Sequence, residues 1–155
     1  MSTDPVDGSG PSVDDAIRTL LLFMPRMVGR VKRIRIPDDL QSFSLAPRHL
    51  SLLAYLLFEG EMGVNELAAR LEVAPATVSL MVGELSRKGI LKRREDDADR
   101  RRTLVSIAED HRKAIDGWLG RGAVAWRNAL EPLTSAQRQM FIDTLAAYDR
   151  EIGGE

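Results

Sequence analysis

Cysteine is absent from the 155 residues, which excludes disulfides, thiolate metal sites and thiol-based catalysis or redox sensing. Histidine is scarce. His49 and His111 are the only two, and neither belongs to a paired-histidine metal motif. A Gly-x-Ser-x-Gly elbow and a phosphate-binding P-loop are also missing, so the expectation is no enzyme and no cofactor. No apolar run reaches the roughly 18 residues of a membrane span. The opening "MSTDPVDGSGPSVDD" lacks the basic-then-apolar order of a secretory signal. A soluble, cytoplasmic chain without a membrane partner is therefore expected. A strong net charge is lacking too, at −1. Phosphate binding is mainly electrostatic, so the total argues against nucleic acid and the distribution of charge has to decide.

With 44% hydrophobic and 29% charged residues, the chain has the composition of one globular domain able to bury a core. Residues 1–12 are rich in Gly, Pro, Ser and Asp and are expected to form a disordered tail. From Val13 onward, Ile17, Leu20, Leu21, Met24, Met27, Val28, Val31 and Ile34 recur at intervals of three and four, the period of an amphipathic helix. Pro25 is expected to kink or split it. The basic residues Arg26, Arg30, Lys32, Arg33 and Arg35 read as its solvated face. "IPDDLQSFS" breaks the pattern, and Pro47 suits the first turn of a new helix running to about Phe58. Leu50, Leu53 and Leu57 are its expected buried stripe.

After "EGEMG" ends that helix, Val64–Leu71 reads as a short one with Leu67, Ala68 and Leu71 on one face. A tight "EVAP" link leads to a longer helix from Pro75 to about Lys88, with Val78, Met81, Val82 and Leu85 inward and Gly89 as its stop. Two helices joined by so short a turn form a helix-turn-helix pattern. "ILKRR" and "RTLVSI" then read as a β-hairpin, with Thr103, Val105 and Ile107 on one face and Leu104 and Ser106 on the other. A long helix follows from Glu109 to about Leu130, with Ile115, Trp118, Leu119, Gly122 and Trp126 along one side and Pro132 beyond its end. Thr134 and Gln137 form a capping box opening a last helix that carries Phe141, Leu145, Tyr148 and Ile152. Trp118, Trp126, Phe141 and Tyr148 read as core. The fold class is mainly α with a small β-hairpin wing, a winged helix-turn-helix.

Between residues 87 and 102, eight basic residues (Arg87, Lys88, Lys92, Arg93, Arg94, Arg100, Arg101, Arg102) face four acids (Glu95, Asp96, Asp97, Asp99). The neutral total conceals this patch. A solvated charge cluster, a metal loop and a grip on an anion are the three readings. An EF-hand loop needs a central Gly and a terminal Glu, and "DDADRRRTLVSI" has neither, so no metal is expected. The excess of arginine favours nucleic acid. Aspartates at a hairpin tip hold the turn through backbone amides and pair with one guanidinium, leaving another to project.

"NELAARLEVAPATVSLMVGELSRKGILKRREDDADRRRTLVSI", with helices before and after it, resembles the MarR (multiple-antibiotic-resistance regulator) family of winged helix-turn-helix transcription regulators. The resemblance runs from about Leu20 to Ile152 and is most specific at "ELA", "ATVS", "KGIL" and the Asp-Arg-Arg wing. It implies a single domain over 13–155, with dimerisation helices at 13–36 and 109–153 and a DNA-binding lobe at 46–108. It further implies a homodimer on double-stranded DNA bearing an imperfect inverted repeat, acting as a repressor released by a small aromatic or anionic effector. Pro75, Ala76, Thr77, Ser79 and Leu80 fall on the recognition helix, and Asn65 on the helix before it. Asp99 would orient the tip while Arg101 enters the minor groove, with Arg100 and Arg102 near phosphates and Arg87 and Arg94 also among the DNA-binding residues. Effector-binding residues are unknown, although Arg26, His49 and Tyr55 fall near the region the family uses.

The chain departs from the family pattern in four places. Leu80 and Glu84 stand where basic or polar residues are frequent, and Ala74 and Ala108 replace common Ser and Thr caps. The rival reading is a winged-helix module that applies its basic wing to an acidic protein partner.

Overall fold

The computed structural model describes residues 10–154. Residues 1–9 of the expected disordered tail lie outside the described residues. Two units emerge, one ending at Arg35 and the other beginning at Ile36. The first is helix α1 (Val13–Lys32), opened by Ser12, whose Oγ accepts from the Asp15 amide at 3.2 Å. Asp14 and Asp15 in the first turn and Arg30 and Lys32 in the last complement the helix dipole. Pro25 does not split this element: the missing amide costs one internal bond, and the helix is continuous across it. No residue of α1 is buried.

The second unit runs through α2 (Asp38–Gln41), α3 (Pro47–Glu59), β1 (Met62–Gly63), α4 (Val64–Leu71), α5 (Pro75–Arg87), β2 (Leu91–Glu95), β3 (Thr103–Ile107), α6 (Glu109–Leu130) and α7 (Ser135–Gly153). The sheet is antiparallel in the order β1-β3-β2. Its hairpin pairs Leu91 with Ile107 and Arg93 with Val105, while Met62 pairs with Val105 from the other side. Burial alternates along β3 as expected, with Val105 and Ile107 inward. β1 and α2 were not legible as elements. Two residues carry no period-2 pattern, so β1 exists only through its pairing with Leu104 and Val105. α2 is a single turn whose Leu40 is fully buried.

Leu40, Leu52, Leu53, Leu56, Leu67, Val78, Val82, Leu85, Ile90, Val105 and Ile115 are at most 1% exposed and constitute the core. The α3 stripe is His49, Leu52, Leu53 and Leu56, a correction to the expected Leu50, Leu53 and Leu57. With leucine at positions 50, 52, 53, 56 and 57, the helix is apolar over most of its circumference, and packing chooses the inward face. α5 ends in a Schellman motif: Ile90 donates to the Leu85 carbonyl at 2.9 Å and Gly89 to that of Ser86 at 3.0 Å, with Gly89 at φ +78°. α4 ends similarly, but the left-handed position at φ +55° is filled by Glu72.

The aromatic residues expected in the core divide. Trp118 is buried, but Trp126 and Tyr148 are 48% and 44% exposed. Trp126 and Phe141 meet at 5.7 Å between ring centroids. α7 has no buried residue, although its capping box forms as expected, with Thr134 and Gln137 exchanging side-chain to backbone bonds. Among the described residues, no helix is long and apolar enough to cross a membrane.

Candidate nucleic-acid interface

The exposed face of α5 begins at Pro75, directly after the helix-turn-helix link. Pro75, Ala76, Thr77, Ser79 and Leu80 are all exposed, while Val78, Met81, Val82 and Leu85 are buried against the rest of the lobe. Leu80 is 71% exposed. A leucine this open stabilises nothing in the lobe, whereas an apolar side chain on such a face can contact a thymine methyl. Thr77 and Ser79 present hydroxyls that donate and accept. Ala74 provides no side-chain cap, so the first amides of α5 have no side chain of that residue to satisfy them. Asn65 is exposed at the second position of α4, and Arg87 is exposed in the last turn of α5.

Glu84 lies on the same helix, where a carboxylate would oppose phosphate. Its Oε2 turns instead toward the start of α3, 3.4 Å from His49 Nε2 and 3.7 Å from Arg48 Nη2. His49 is 1% exposed. Its Nδ1 accepts from the Ala46 amide at 3.0 Å, closing the first turn of α3. That acceptor role places the proton on Nε2, facing Glu84. Burial, and secondarily the Arg48 charge, lower the His49 pKa from its usual value. His49 is thus a structural cap and not part of an open ligand site. Tyr55 is half-buried, and the Arg26 guanidinium rests over the Phe23 ring within α1, 4.8 Å from its centroid.

At the wing tip, two aspartates organise the turn. Asp96 Oδ1 accepts from the Ala98 amide at 3.0 Å. Asp99 Oδ1 accepts from the Arg101 amide at 3.1 Å and from Arg101 Nε at 3.2 Å. One carboxylate therefore fixes both the backbone and the side-chain direction of Arg101, which remains 92% exposed. The hairpin is closed beneath the tip by Asp96 N donating to Arg102 O and Arg102 N donating to Asp99 O, both at 2.9 Å.

The eight basic residues are not equivalent. Arg94 forms a two-point pair with Glu61, which holds the Glu61 carboxyl below the usual carboxylate range. Arg102 Nη2 donates to Glu66 Oε2 at 2.8 Å. Lys88 Nζ donates to the Phe43 carbonyl. Glu61 and Glu66, which lie outside the hairpin sequence, together halve its excess of four positive charges. Lys92, Arg93 and Arg100 are exposed with no carboxylate partner among the described residues. Sequence reasoning did not anticipate this division, because the neutralising carboxylates lie more than thirty residues upstream. No group of three or more acidic or imidazole side chains suited to a metal occurs among the described residues.

A lobe of this order, with an exposed helix face following a tight turn and a basic three-stranded wing beside it, is a winged helix-turn-helix. Residues 43–102 match the model of the MarR family. Over 73 residues the chain is 32% identical to the HTH-type transcriptional repressor MdtR of Bacillus subtilis, covering 47% of each. The curated relatives it matches are spanned over about half to two thirds of their length, between 47% and 66%. Among solved structures, a MarR family protein from Bacillus stearothermophilus superimposes with a TM-score of 0.61 at 20% identity, covering 92% of this chain and 99% of that one. The Bordetella bronchiseptica protein BpsR, described with regulation of its DNA binding by 6-hydroxynicotinic acid, gives 0.58 at 20% identity over 86% and 98%. Over residues 43–102 the chain is similar to the MarR family, and its fold is that of these solved proteins.

Proposed function

We propose that the chain is a transcription regulator that binds double-stranded DNA as a homodimer, each lobe placing α5 in a major groove and its wing in the adjacent minor groove. The observation that carries this reading is the Asp99–Arg101 pair. A structural role would bury a guanidinium, whereas this one stays 92% exposed while its Nε pairs with Asp99, and Arg94 and Arg102 are turned back onto Glu61 and Glu66. Narrow A·T-rich minor grooves concentrate negative potential, and an inserted arginine is the side chain that exploits it. Thr77, Ser79, Leu80 and Ala76 face the base edges, Pro75 sets the entry of the helix, and Asn65, Arg87 and Arg100 lie toward phosphates.

The dimer rests on the exposed apolar residues of the terminal helices, among them Leu21, Val28, Met140, Ile142 and Ile152. Helices 13–36 and 109–153 serve as the dimerisation region, and residues 46–108 as the DNA-binding lobe. A twofold assembly requires an inverted repeat with half-sites about one helical turn apart. Repression relieved by a small aromatic or anionic effector is the regulatory mode, by analogy with the ligand-controlled DNA binding described for BpsR.

The test is fluorescence anisotropy with duplexes tiled across the chain's own upstream region, at two or more salt concentrations. Binding confined to duplexes containing an inverted repeat, and weakening steeply with salt, is expected. Equal binding to every duplex and to an acidic polypeptide would instead identify a protein-interaction module with a basic wing.

A further inference from the structure

The Arg102 side chain runs back from the tip, and its guanidinium lies against Gly63. A Cβ built on Gly63 would sit 2.6 Å from Arg102 Nε and 3.0 Å from Nη2. Gly63 itself has φ −75° and ψ 159°, a conformation open to any residue. Backbone freedom therefore does not explain glycine here, and the guanidinium does. Beyond Gly63, Arg102 Nη2 reaches Glu66 Oε2 in the first turn of α4, and Glu66 lies 3.9 Å from Arg70, which pairs with Glu59 of α3 at 2.7 Å. Glu59, Arg70, Glu66 and Arg102 thus form a charged chain from α3 through α4 to the wing. The other wing strand is tied to the same region by Arg94 and Glu61.

We propose that Gly63, Glu66 and Arg102 form a latch that sets the angle of the wing over the helix-turn-helix, so that Arg102 is a positioning residue for the DNA-reading surface and not a phosphate contact. The proposal rests on the DNA-binding reading above for its functional consequence and on the intramolecular contacts alone for its geometry. Each ion pair is about half exposed, and such pairs add little to global stability. Their effect is directional. The backbone of Arg102 closes the hairpin on both sides, through its amide to Asp99 and its carbonyl to Asp96. Holding the Arg102 side chain therefore holds the base of the loop that carries Asp99 and Arg101. The latch also requires a residue without a side chain at position 63, in a strand that pairs with Leu104, two residues from Arg102.

Gly63→Ser, Glu66→Gln and Arg102→Gln separate the latch from its alternatives. Serine at position 63 is a better N-cap for α4 than glycine or about as good, so a loss cannot be ascribed to a weakened helix; its Cβ nevertheless displaces the guanidinium. Glu66→Gln removes a negative charge, which on electrostatics alone tightens DNA binding. With the latch, all three variants weaken binding by roughly threefold to tenfold, the scale of one lost exposed pair plus its ordering, and the slope of log affinity against log salt stays that of the native chain. Amide hydrogen exchange at Asp96 and Arg102, measured without DNA, accelerates in all three. The proposal is overturned if Arg102→Gln makes the slope shallower by about one counterion per lobe while Glu66→Gln tightens binding, which marks a phosphate contact. Unchanged exchange in both Glu66→Gln and Gly63→Ser overturns it as well. If the native chain binds no duplex, the DNA-binding reading falls, and the exchange measurement decides the latch independently.

Discussion

His49 offers a perturbation whose sign follows from geometry. The ring is buried, its Nδ1 accepts from the Ala46 amide, and its Nε2 faces Glu84. Adding a proton to Nδ1 sets two donors against each other and removes a capping bond of about 1 kcal/mol. The groups facing the ring are Arg48, Glu84 and Lys88. Burial is the largest influence and Arg48 the next, both lowering the pKa, against which Glu84, facing Nε2 at 3.4 Å, raises it. The net direction is downward. A base whose pKa is lower in the folded than in the unfolded chain takes up its proton more readily when unfolded. Its contribution is therefore complete above the unfolded value near 6.5 and is lost as the pH falls below it toward the folded value. The loss per pH unit is bounded by one proton, about 1.4 kcal/mol.

The assay is urea unfolding at intervals between pH 8 and pH 5.5, comparing the native chain with His49→Gln. Glutamine at the third helical position can still bond back to the Ala46 amide, as in a capping box, but does not titrate. At pH 8 the variant should be less stable by about 1–2 kcal/mol through lost ring packing, and the gap should narrow on acidification. His111 is common to both chains and cancels. Glu84→Gln should lower the His49 pKa further and extend the loss to lower pH. Parallel stability curves for the native chain and His49→Gln across the whole range would refute the reasoning.

Glu72→Gly, which relieves a left-handed residue at φ +55°, should stabilise the lobe by about 0.5–1 kcal/mol in the same unfolding assay. Asp99→Ala should weaken binding to an inverted-repeat duplex even though it makes the wing more basic; tighter binding at unchanged sequence preference would mean the aspartate does not aim Arg101. Analytical ultracentrifugation of the full chain at micromolar concentration should show a dimer, and replacing Ile142 and Leu145, 51% and 40% exposed, by Glu should yield a monomer with diminished helicity.

The parts legible in the sequence share a physical character. α4 and α5 could be bounded almost to the residue because proline, glycine and a clean 3.6-residue period coincide there, and the terminal capping box was visible because it needs two residue types at fixed spacing. α3 was misread in register because five leucines surround it and sequence gives no reason to prefer one face. β1 was missed because a two-residue strand is created by its partner. The same limit applies to the wing. Its arginines and aspartates could be seen as a patch, and Asp99 and Arg101 lie close enough in sequence for their pairing to be inferred. The diversion of Arg94 and Arg102 onto Glu61 and Glu66 depends on contacts that only the fold supplies, and the turn of Glu84 toward His49 likewise.

α1 and α7 are 20 and 19 residues long and contain no buried residue. Helices in proteins gain most of their stability from packing rather than from propensity. On the homodimer proposed above, the final stage of maturation for these segments is a second-order reaction between chains, while the wing lobe forms in a first-order one. The amount of assembled protein then rises more steeply than synthesis, and a newly made chain at low abundance spends longer with its terminal segments open to proteases and chaperones. If that assembly forms, a cell that halves production of this chain should lose more than half of its dimer, so the dose of dimer falls faster than the dose of chain.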